Sequence, residues 1–467
     1  MLIRGLMERA SQRAITLVKP RRDSFKSPKP DAPRVLVYDI FSEVNRRGGY
    51  SNLLLPQALN ASNFEQRDKG FATELLYGTL RMQGRHDYIL AQVSDRPWSE
   101  VDEGIVDICR LGVHQLFEMR VATHAAVSAT VELARKVIGE SKASFVNAIL
   151  RKVSAKSLEE WMEPVLLMSD PVSRLSIQYS HPEWIVSAYF DLLKDFDRVE
   201  AELSANNVPA MPTLVSWPGS STQEELVTEG GVATRYSPYG AKFDGPPGSL
   251  DLIRHRKAGV QDEGSQLVAL AFSSATQSAK SVLDLCAGPG GKAALISHIC
   301  DVEGRDFVAN EVSEARAKLV KNVVGKFPVW VGDGREIASH DQHFDAIIAD
   351  VPCTGLGALR RRPEVRWRRT LQDLRALTEL QLELSNAAIT ALNAGGIFAY
   401  ATCSPHFAET FGQVKMIVKA HPELEQIDVS PYLPTSLQGA VRDKCMALWT
   451  SVHDTDSMFL ALFKKST

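Results

Sequence analysis

Residues 34–157 carry apolar side chains at the spacing of an α-helix, with almost no alternation of the kind that marks a strand. The apolar positions that lie three or four residues apart include Val35, Leu36, Ile40, Phe41, Val44, Leu75, Leu76, Leu80, Val127, Val131, Leu133 and Val137. Such spacing places these side chains on one face of each helix, where they can be buried together. The pattern predicts an all-α bundle of several short helices.

The pattern changes after Ala279, where short apolar runs alternate with helical stretches. The predicted strands are residues 282–285, 307–310, 329–331, 346–349 and 397–401, with a late strand at 458–463. Alternation of strands and helices is typical of an open parallel α/β sheet. We assign residues 256–467 to this unit.

The remaining regions have less regular patterns. Residues 160–255 combine a helix start around Pro182 with a strand-like run at 211–217 and several Pro and Gly turns, which predicts a small α+β linker domain. Residues 1–33 are basic and rich in proline, which favours a disordered tail. A basic arm for RNA phosphates and an organellar transit peptide are the alternatives, although Glu8 and Asp23 weaken the second.

Composition excludes several classes of protein. The 467 residues are 44% hydrophobic and 23% charged with a net charge of −3, so a core can form but no global basic footprint marks a nucleic-acid partner. The six cysteines form no CxxC pair or zinc-type cluster, which indicates a reducing, cytoplasmic setting without a metal. No apolar run reaches the roughly 18–20 residues that span a bilayer. We expect a monomer without a membrane partner.

A glycine-rich turn follows the first predicted strand of the α/β unit. It consists of Cys286, Ala287, Gly288, Pro289, Gly290, Gly291 and Lys292. Such a turn lets a ligand approach the backbone and the free N–H groups of the next helix, although a purely structural turn has the same composition.

Acidic residues follow the next two strands at the same predicted sheet edge. Glu311 is placed to accept hydrogen bonds from ribose hydroxyls, as in both dinucleotide and S-adenosylmethionine enzymes, or to favour the start of a helix. Asp333 can accept from an adenine amino group or serve only in turn formation. Together with the glycine turn, these positions predict an adenosine site.

Two cysteines, Cys353 and Cys403, follow the fourth and fifth strands. Either one alone is more commonly a small buried residue, but two beside a predicted adenosine site favour covalent chemistry. Carbon 5 of cytosine becomes nucleophilic when a thiolate adds to carbon 6, and an acid near ring nitrogen 3 stabilises the charge that develops. Asp350 is placed for that second role. Position alone leaves open which cysteine attacks.

These motifs resemble the NOL1/NOP2/Sun family of RNA cytosine-5 methyltransferases. The family's CAAPGGK turn reads CAGPGGK at residues 286–292, its DAPCS reads DVPCT at 350–354, and its TCS is present at 402–404. The resemblance implies a Rossmann-like domain that binds S-adenosyl-L-methionine through residues 286–292, Glu311, Asp333 and Asp350. It also implies that Cys403 is the nucleophile and that Cys353 assists product release.

The chain departs from the family pattern at a few positions. Gly288, Val351 and Thr354 replace two alanines and a serine, and Glu311 replaces the commoner aspartate. Thr410 follows Glu409 where the family often has asparagine. None of these changes removes a reactive group.

The first half of the chain narrows the resemblance. Residues 144–151 (SFVNAILR) resemble the signature of the NusB RNA-binding helical domain, and residues 179–184 and 261–267 resemble segments that precede the methyltransferase core. A NusB-like domain at 34–157 joined to this core is similar to the bacterial Sun/RsmB group. That resemblance implies a cytosine of small-subunit (16S) ribosomal RNA as the substrate.

A basic stretch after Cys353 provides the local positive charge that the whole chain lacks. Its candidate RNA contacts are Arg360, Arg361, Arg362, Arg366 and Trp367, with the arginines facing phosphates and the indole stacking on a base. A solvated charged loop is the alternative.

Other substrates and another class of protein remain open. The same chemistry on tRNA is an alternative. Methylation of DNA with Cys353 as the nucleophile is disfavoured by the cysteine of the TCS motif and by the NusB-like domain. A non-catalytic RNA-binding scaffold is disfavoured by the retention of both cysteines, Asp350 and the glycine turn.

Overall fold

The computed structural model describes residues 31–467, so the predicted tail lies outside the described residues up to residue 30. The first six helices are α1 (Ala32–Arg47), α2 (Ser51–Ala61), α3 (Gln66–Val93), α4 (Glu103–Phe117), α5 (Thr123–Ile138) and α6 (Glu140–Val153). They enclose one apolar core, and the predicted all-α bundle is confirmed. Helix α1 begins before the predicted domain start because Asp31 caps it through the Arg34 amide and Pro33 suits its first turn.

Four short helices follow the bundle: α7 (Leu158–Leu166), α8 (Pro171–Gln178), α9 (Glu183–Leu193) and α10 (Phe196–Ala205). A small sheet comes next, with β1 (Thr213–Ser216), α11 (Gln223–Thr228), β2 (Val232–Ala233), β3 (Gly240–Lys242), α12 (Asp251–Arg254) and β4 (Ala258–Val260). Its strands are antiparallel in the order β2-β3-β1-β4. Strand β4 therefore joins this sheet although it lies beyond residue 255.

The rest of the chain forms a nine-stranded sheet with helices on its faces. Its elements are α13 (Glu263–Ala275), β5 (Ser281–Asp284), α14 (Gly291–Glu303), β6 (Asp306–Glu311), α15 (Glu314–Lys321), β7 (Val329–Val331), β8 (Phe344–Asp350), α16 (Val365–Arg368), α17 (Leu371–Thr390), β9 (Leu392–Thr402), α18 (Phe411–Ala420), β10 (Leu424–Ile427), β11 (Val441–Arg442), β12 (Cys445–Ala447), α19 (Thr450–His453) and β13 (Phe459–Lys465). Two apolar clusters cover the two faces of the sheet.

Strands β5 to β9 are parallel, in the order β9-β8-β5-β6-β7. The late strand makes one edge of the sheet mixed, because β13 runs antiparallel to β9 and pairs in turn with β10 and β12. The strand order reverses at β5, which pairs with β6 on one side and β8 on the other. Ligands of open α/β sheets bind at the carboxyl ends of the strands beside such a reversal.

Candidate active site

The glycine-rich turn links β5 to α14 at the carboxyl edge of the sheet. Gly290 has a φ of +116°, a conformation that side-chain-bearing residues rarely adopt, and α14 begins at the next residue. The Ala287 amide donates to Asn310 O at 2.9 Å, which joins the turn to β6. The turn is therefore held against the neighbouring strand while the first amides of α14 face the sheet edge.

Glu311 ends β6 directly beside this turn. Its carboxylate accepts from the Gly288 amide and the Ser313 amide, both at 2.9 Å, and lies 3.5 Å from the guanidinium of Arg316. The Arg316 side chain also donates to Gly288 O. Sequence reasoning placed Glu311 at this edge but did not find Arg316, since no motif marks it.

The contact between Gly288 and Glu311 leaves no room for a side chain at residue 288. A Cβ atom built on Gly288 would lie 2.1 Å from Glu311 Oε2 and 2.8 Å from Arg316 Nε. Because the φ of Gly288 is not in the left-handed region, the need for glycine here is one of space. The chain has glycine where the family has alanine at residue 288, and the Glu311 carboxylate occupies the space that the alanine methyl group would need.

Asp333 lies just after β7 and faces Arg335. Its carboxylate accepts from the Arg335 amide at 3.0 Å and from Arg335 Nε at 3.1 Å, and these hydrogen bonds lower the pKa of Asp333. The contacts that the structure gives Asp333 are those of a helix cap and turn. They leave its second role, towards adenine, as a prediction.

Two carboxylates, one buried and one half-exposed, lie between the glycine turn and the cysteines. Asp350, the last residue of β8, accepts from Lys292 Nζ at 2.8 Å. Asp284, the last residue of β5, is 1% exposed, and burial together with Asp350 raises its pKa to about 7. Asp284 was not among the predicted site residues, although its place at the end of an apolar strand was a usable signal.

Cys353 and Cys403 lie side by side at the ends of β8 and β9. Their Sγ atoms are 3.3 Å apart, and both side chains are partly exposed. A hydrogen bond from Cys353 lowers the pKa of Cys403, with a further contribution from Arg362, whereas the same bond raises the pKa of Cys353. Since the thiolate is the reactive form of cysteine, the electrostatics favour Cys403 as the nucleophile.

The backbone around the two thiols is tightly held. Gly357 N donates to Cys403 O at 2.9 Å, and a Cβ atom on Gly357 would lie 2.0 Å from Ser457 O. The fully buried Glu409 accepts from the Thr354 amide at 2.8 Å and from Gln381 Nε2 at 3.0 Å. Glu409 is a supporting residue that sequence reasoning did not single out, because it lies in a loop with no separate motif.

The shifted pKa of Cys403 gives a first testable prediction. Because the folded protein stabilises its thiolate, alkylation of Cys403 by iodoacetamide should be fast at a lower pH than for a free thiol, whose pKa is about 8.5. The rate is measured by peptide mass spectrometry between about pH 6 and about pH 10, with Cys353→Ala as the matched variant. That variant should move the midpoint upwards, because it removes the hydrogen bond. An unchanged midpoint would contradict the assigned cause.

The basic stretch does not lie free in solvent. Arg366 is 0% exposed, and Trp367 Nε1 donates to Leu80 O in the helical bundle at 3.0 Å while its ring packs against Gly84. Full burial of Arg366 contradicts an RNA contact by this residue, whereas Trp367 is only half-buried and its RNA contact stays a prediction.

The three arginines that precede these residues differ in exposure. Arg360 is 8% exposed and donates to Asp454 at 2.7 Å. Arg361 is exposed but paired with the buried Asp456, and Arg362 is partly exposed near Cys403. Of the predicted RNA contacts, Arg361, Arg362 and Trp367 are at least partly exposed.

Comparison with known proteins identifies the family. A family model described as "16S rRNA methyltransferase RsmB/F" matches residues 271–464, and one described as "NusB family" matches residues 31–155. A protein of Mycobacterium tuberculosis named as a methyltransferase is 39% identical, over 94% of this chain and 97% of that protein. The chain belongs to the RsmB/F methyltransferase family. The ribosomal RNA small subunit methyltransferase B of Vibrio vulnificus is 29% identical, over 84% of this chain and 92% of that protein.

Solved structures agree with the RsmB/F fold. The crystal structure of PH0851 is 20% identical and covers 95% of this chain and 100% of that chain with a TM-score of 0.76. The structure of NSun6 from Pyrococcus horikoshii with SFG is 17% identical and covers 61% of this chain and 98% of that chain with a TM-score of 0.52. The predicted fold class, a helical NusB domain followed by a Rossmann-like methyltransferase domain, is confirmed.

As an RsmB/F enzyme, the protein is an rRNA methyltransferase that uses S-adenosylmethionine and acts on RNA. The turn and the carboxylates fit this cofactor, because each oxygen of Glu311 keeps a lone pair after accepting one backbone amide. Within residues 31–467, no helix is long and apolar enough to cross a membrane. Over the same residues, no group of three His, Cys, Asp or Glu side chains is arranged to hold a metal ion.

Proposed function

We propose that this enzyme methylates carbon 5 of a cytosine in small-subunit (16S) rRNA through a covalent bond between Cys403 and carbon 6. The observation that carries the proposal is the pair of thiols, 3.3 Å apart, at strand ends beside the Asp350 and Lys292 pair. An enzyme that methylates a more nucleophilic atom of a base needs no cysteine nucleophile, because that atom attacks the methyl group without prior activation.

Cys403 begins the reaction as a thiolate. It adds to carbon 6, and the electrons of the 5,6 double bond move towards carbon 5 and ring nitrogen 3. Asp350 faces nitrogen 3, and Lys292 supplies a proton through the 2.8 Å hydrogen bond, so the charge that develops on the ring is neutralised. Residues 286–292, Glu311 and Asp333 would hold S-adenosylmethionine, which would supply the methyl group to carbon 5 and leave as S-adenosylhomocysteine.

Release of the product reverses the covalent step. Water takes the carbon 5 proton, and the electron pair left behind restores the double bond as the bond between carbon 6 and Cys403 Sγ breaks. The proton gained at nitrogen 3 returns through Asp350 to Lys292. The hydrogen bond from Cys353 that stabilises the Cys403 thiolate before attack also stabilises it as a leaving group. Cys353 therefore assists release without bonding to the base.

Replacement of Cys403 tests the proposal directly. Full-length protein is incubated with 16S rRNA and labelled S-adenosylmethionine, and 5-methylcytidine is measured by mass spectrometry after nuclease digestion. Cys403→Ala should lower the rate by at least about a thousandfold, because the unactivated ring carbon is a poor nucleophile. Retention of full activity by Cys403→Ala would overturn the assignment.

The same assay separates the candidate substrates. Bisulfite mapping of rRNA and tRNA, from cells with and without the gene, should show loss of one signal in small-subunit rRNA. Loss of a signal only in tRNA would make tRNA the substrate of the proposed reaction. Methylation of duplex DNA that depends on Cys353 alone would exclude both RNA substrates.

A further inference from the structure

Residues 364–369, which we term the interdomain segment, insert between the helical bundle and the methyltransferase sheet. Glu364 is 1% exposed and accepts from the Ser51 amide at 3.1 Å and from Ser51 Oγ at 2.7 Å, at the start of α2. Trp367 donates to Leu80 O in α3, and Arg368 donates to Val44 O of α1 at 2.6 Å. Contacts from three residues of the segment therefore fix this part of the methyltransferase domain to the bundle.

Arg366 is the most deeply buried member of the interdomain segment. Its guanidinium donates to Asn207 Oδ1 at 2.8 Å, to Ser180 O at 3.1 Å, to Asn206 O at 3.3 Å and to Arg81 O at 3.4 Å. None of the ion pairs found among residues 31–467 includes Arg366. Burial and the nearby Arg81 guanidinium lower the pKa of Arg366.

An arginine buried without a carboxylate partner is costly, because desolvation of its charge is offset only by neutral acceptors. An apolar residue of similar size would pack the same space at lower cost. Four acceptors drawn from the bundle, α9's preceding loop and the end of α10 instead fix the guanidinium in one position. The arrangement therefore fixes the relative orientation of these three parts in addition to holding them together.

The polypeptide from Cys353 to Arg369 also contacts the backbone beside the two thiols. Arg369 Nε donates to Thr354 O at 3.3 Å, next to Cys353, and Gly357 N donates to Cys403 O at 2.9 Å. Tyr189 OH of α9 donates to Leu356 O at 3.2 Å. The chain from Cys353 to Arg369 is thus fixed to the cysteine pair at one end and to the helical bundle at the other.

We infer that the helical bundle, through Glu364 and Arg366, positions Cys353 against Cys403, so that docking of this domain is part of assembling the reactive thiol pair. Arg366 is in this role a positioning residue, and it replaces the RNA contact that its sequence context suggested. The inference rests on the proposed function for its catalytic consequence, whereas its geometric part concerns only the distance between the two thiols.

The test uses the full chain with Arg366→Met and Arg366→Lys. Arg254→Met is the matched control, because Arg254 is exposed and pairs with Asp251 instead of a residue of the interdomain segment. Alkylation of Cys403 is followed against pH, and methyl transfer to 16S rRNA is resolved into kcat and KM. Loosening the thiol hydrogen bond should raise the midpoint pH for alkylation and lower kcat by at least about tenfold, with KM for RNA changed less than about twofold. Arg254→Met should change none of these.

Two results would overturn the inference. A rise in KM for RNA with unchanged kcat and alkylation midpoint would make Arg366 an RNA-binding residue, and no change at all would make it purely structural. If Arg366→Met does not fold, Trp367→Phe keeps an aromatic side chain but removes the donor to Leu80 O and the outer indole atoms that approach Gly84. That variant should shift the midpoint in the same direction, and an unshifted midpoint would equally overturn the inference.

The alkylation measurement distinguishes failure of this inference from failure of the proposed function. If Cys403→Ala retained methyl transfer, the covalent mechanism would fail, but the dependence of Cys403 reactivity on Arg366 would stand or fall on its own. If Cys403→Ala lost activity and Arg366 variants kept normal thiol reactivity, only the positioning role would be removed.

Discussion

Cys353→Ala is expected to leave the enzyme covalently joined to its RNA. In this variant Cys403 can still add to carbon 6, because its thiol remains partly exposed at the end of β9 beside Asp350. The departing thiolate loses the hydrogen bond that Cys353 provides at 3.3 Å, so bond breaking slows more than bond formation. A complex that resists denaturation should therefore accumulate.

The complex is detected on a denaturing gel with end-labelled 16S rRNA and the full-length protein. Cys353→Ala should retain at least about tenfold more RNA at the position of the protein than the parent enzyme does, since each lost charge-assisted hydrogen bond is worth about 1.5–3 kcal/mol. Cys403→Ala and the double variant should retain none. If Cys403→Ala trapped RNA and Cys353→Ala did not, the two cysteines would exchange roles.

Gly288→Ala is expected to weaken binding of S-adenosylmethionine, and Glu311→Asp should restore part of that loss. A methyl group at residue 288 would lie 2.1 Å from Glu311 Oε2, so the carboxylate that we propose faces the ribose must shift. Overpacking of this kind costs about 1–3 kcal/mol, or roughly five- to 150-fold in affinity. A shorter aspartate at residue 311 gives back the space.

Isothermal titration with S-adenosylhomocysteine measures the four members of this double-mutant cycle without requiring turnover. Gly439→Ala is the matched control, because a Cβ atom at residue 439 would meet nothing within 4 Å. The double variant should bind more tightly than the Gly288→Ala variant. Losses that simply add would show that residues 288 and 311 act independently.

The sequence predicted the site best where a reactive side chain comes at or directly after the end of a strand. The apolar runs before Asp284, Glu311 and Asp350 predicted β5, β6 and β8, and parallel strands bring their carboxyl ends to one edge. The cysteines after β8 and β9 were therefore placed together before their distance was known. Local pattern suffices here because an apolar strand and its polar end are adjacent in sequence.

Contacts between remote residues could not be predicted in this way. The basic stretch carries a charge pattern typical of a solvated loop or an RNA contact, yet Arg366 is fully buried against carbonyl groups about 160 or more positions away along the chain. Strand β13 is apolar like the parallel strands of the same sheet, and its antiparallel direction depends on a connection rather than on composition. The fit of Gly288 to Glu311 likewise depends on how closely the turn after β5 approaches the end of β6.

The insertion of Trp367 and Arg366 into the helical half also limits which helical domains can be exchanged between members of the family. A helical domain taken from another member of the family would have to offer a carbonyl where Leu80 lies, a hydroxyl where Ser51 lies and an open helix face where Gly84 lies. A transplant lacking these features would leave the buried Glu364 carboxylate and the Trp367 indole N–H without their partners. The two halves therefore constitute a matched set, and recombination between relatives is expected to succeed only when residues 364–368 travel with the helical half.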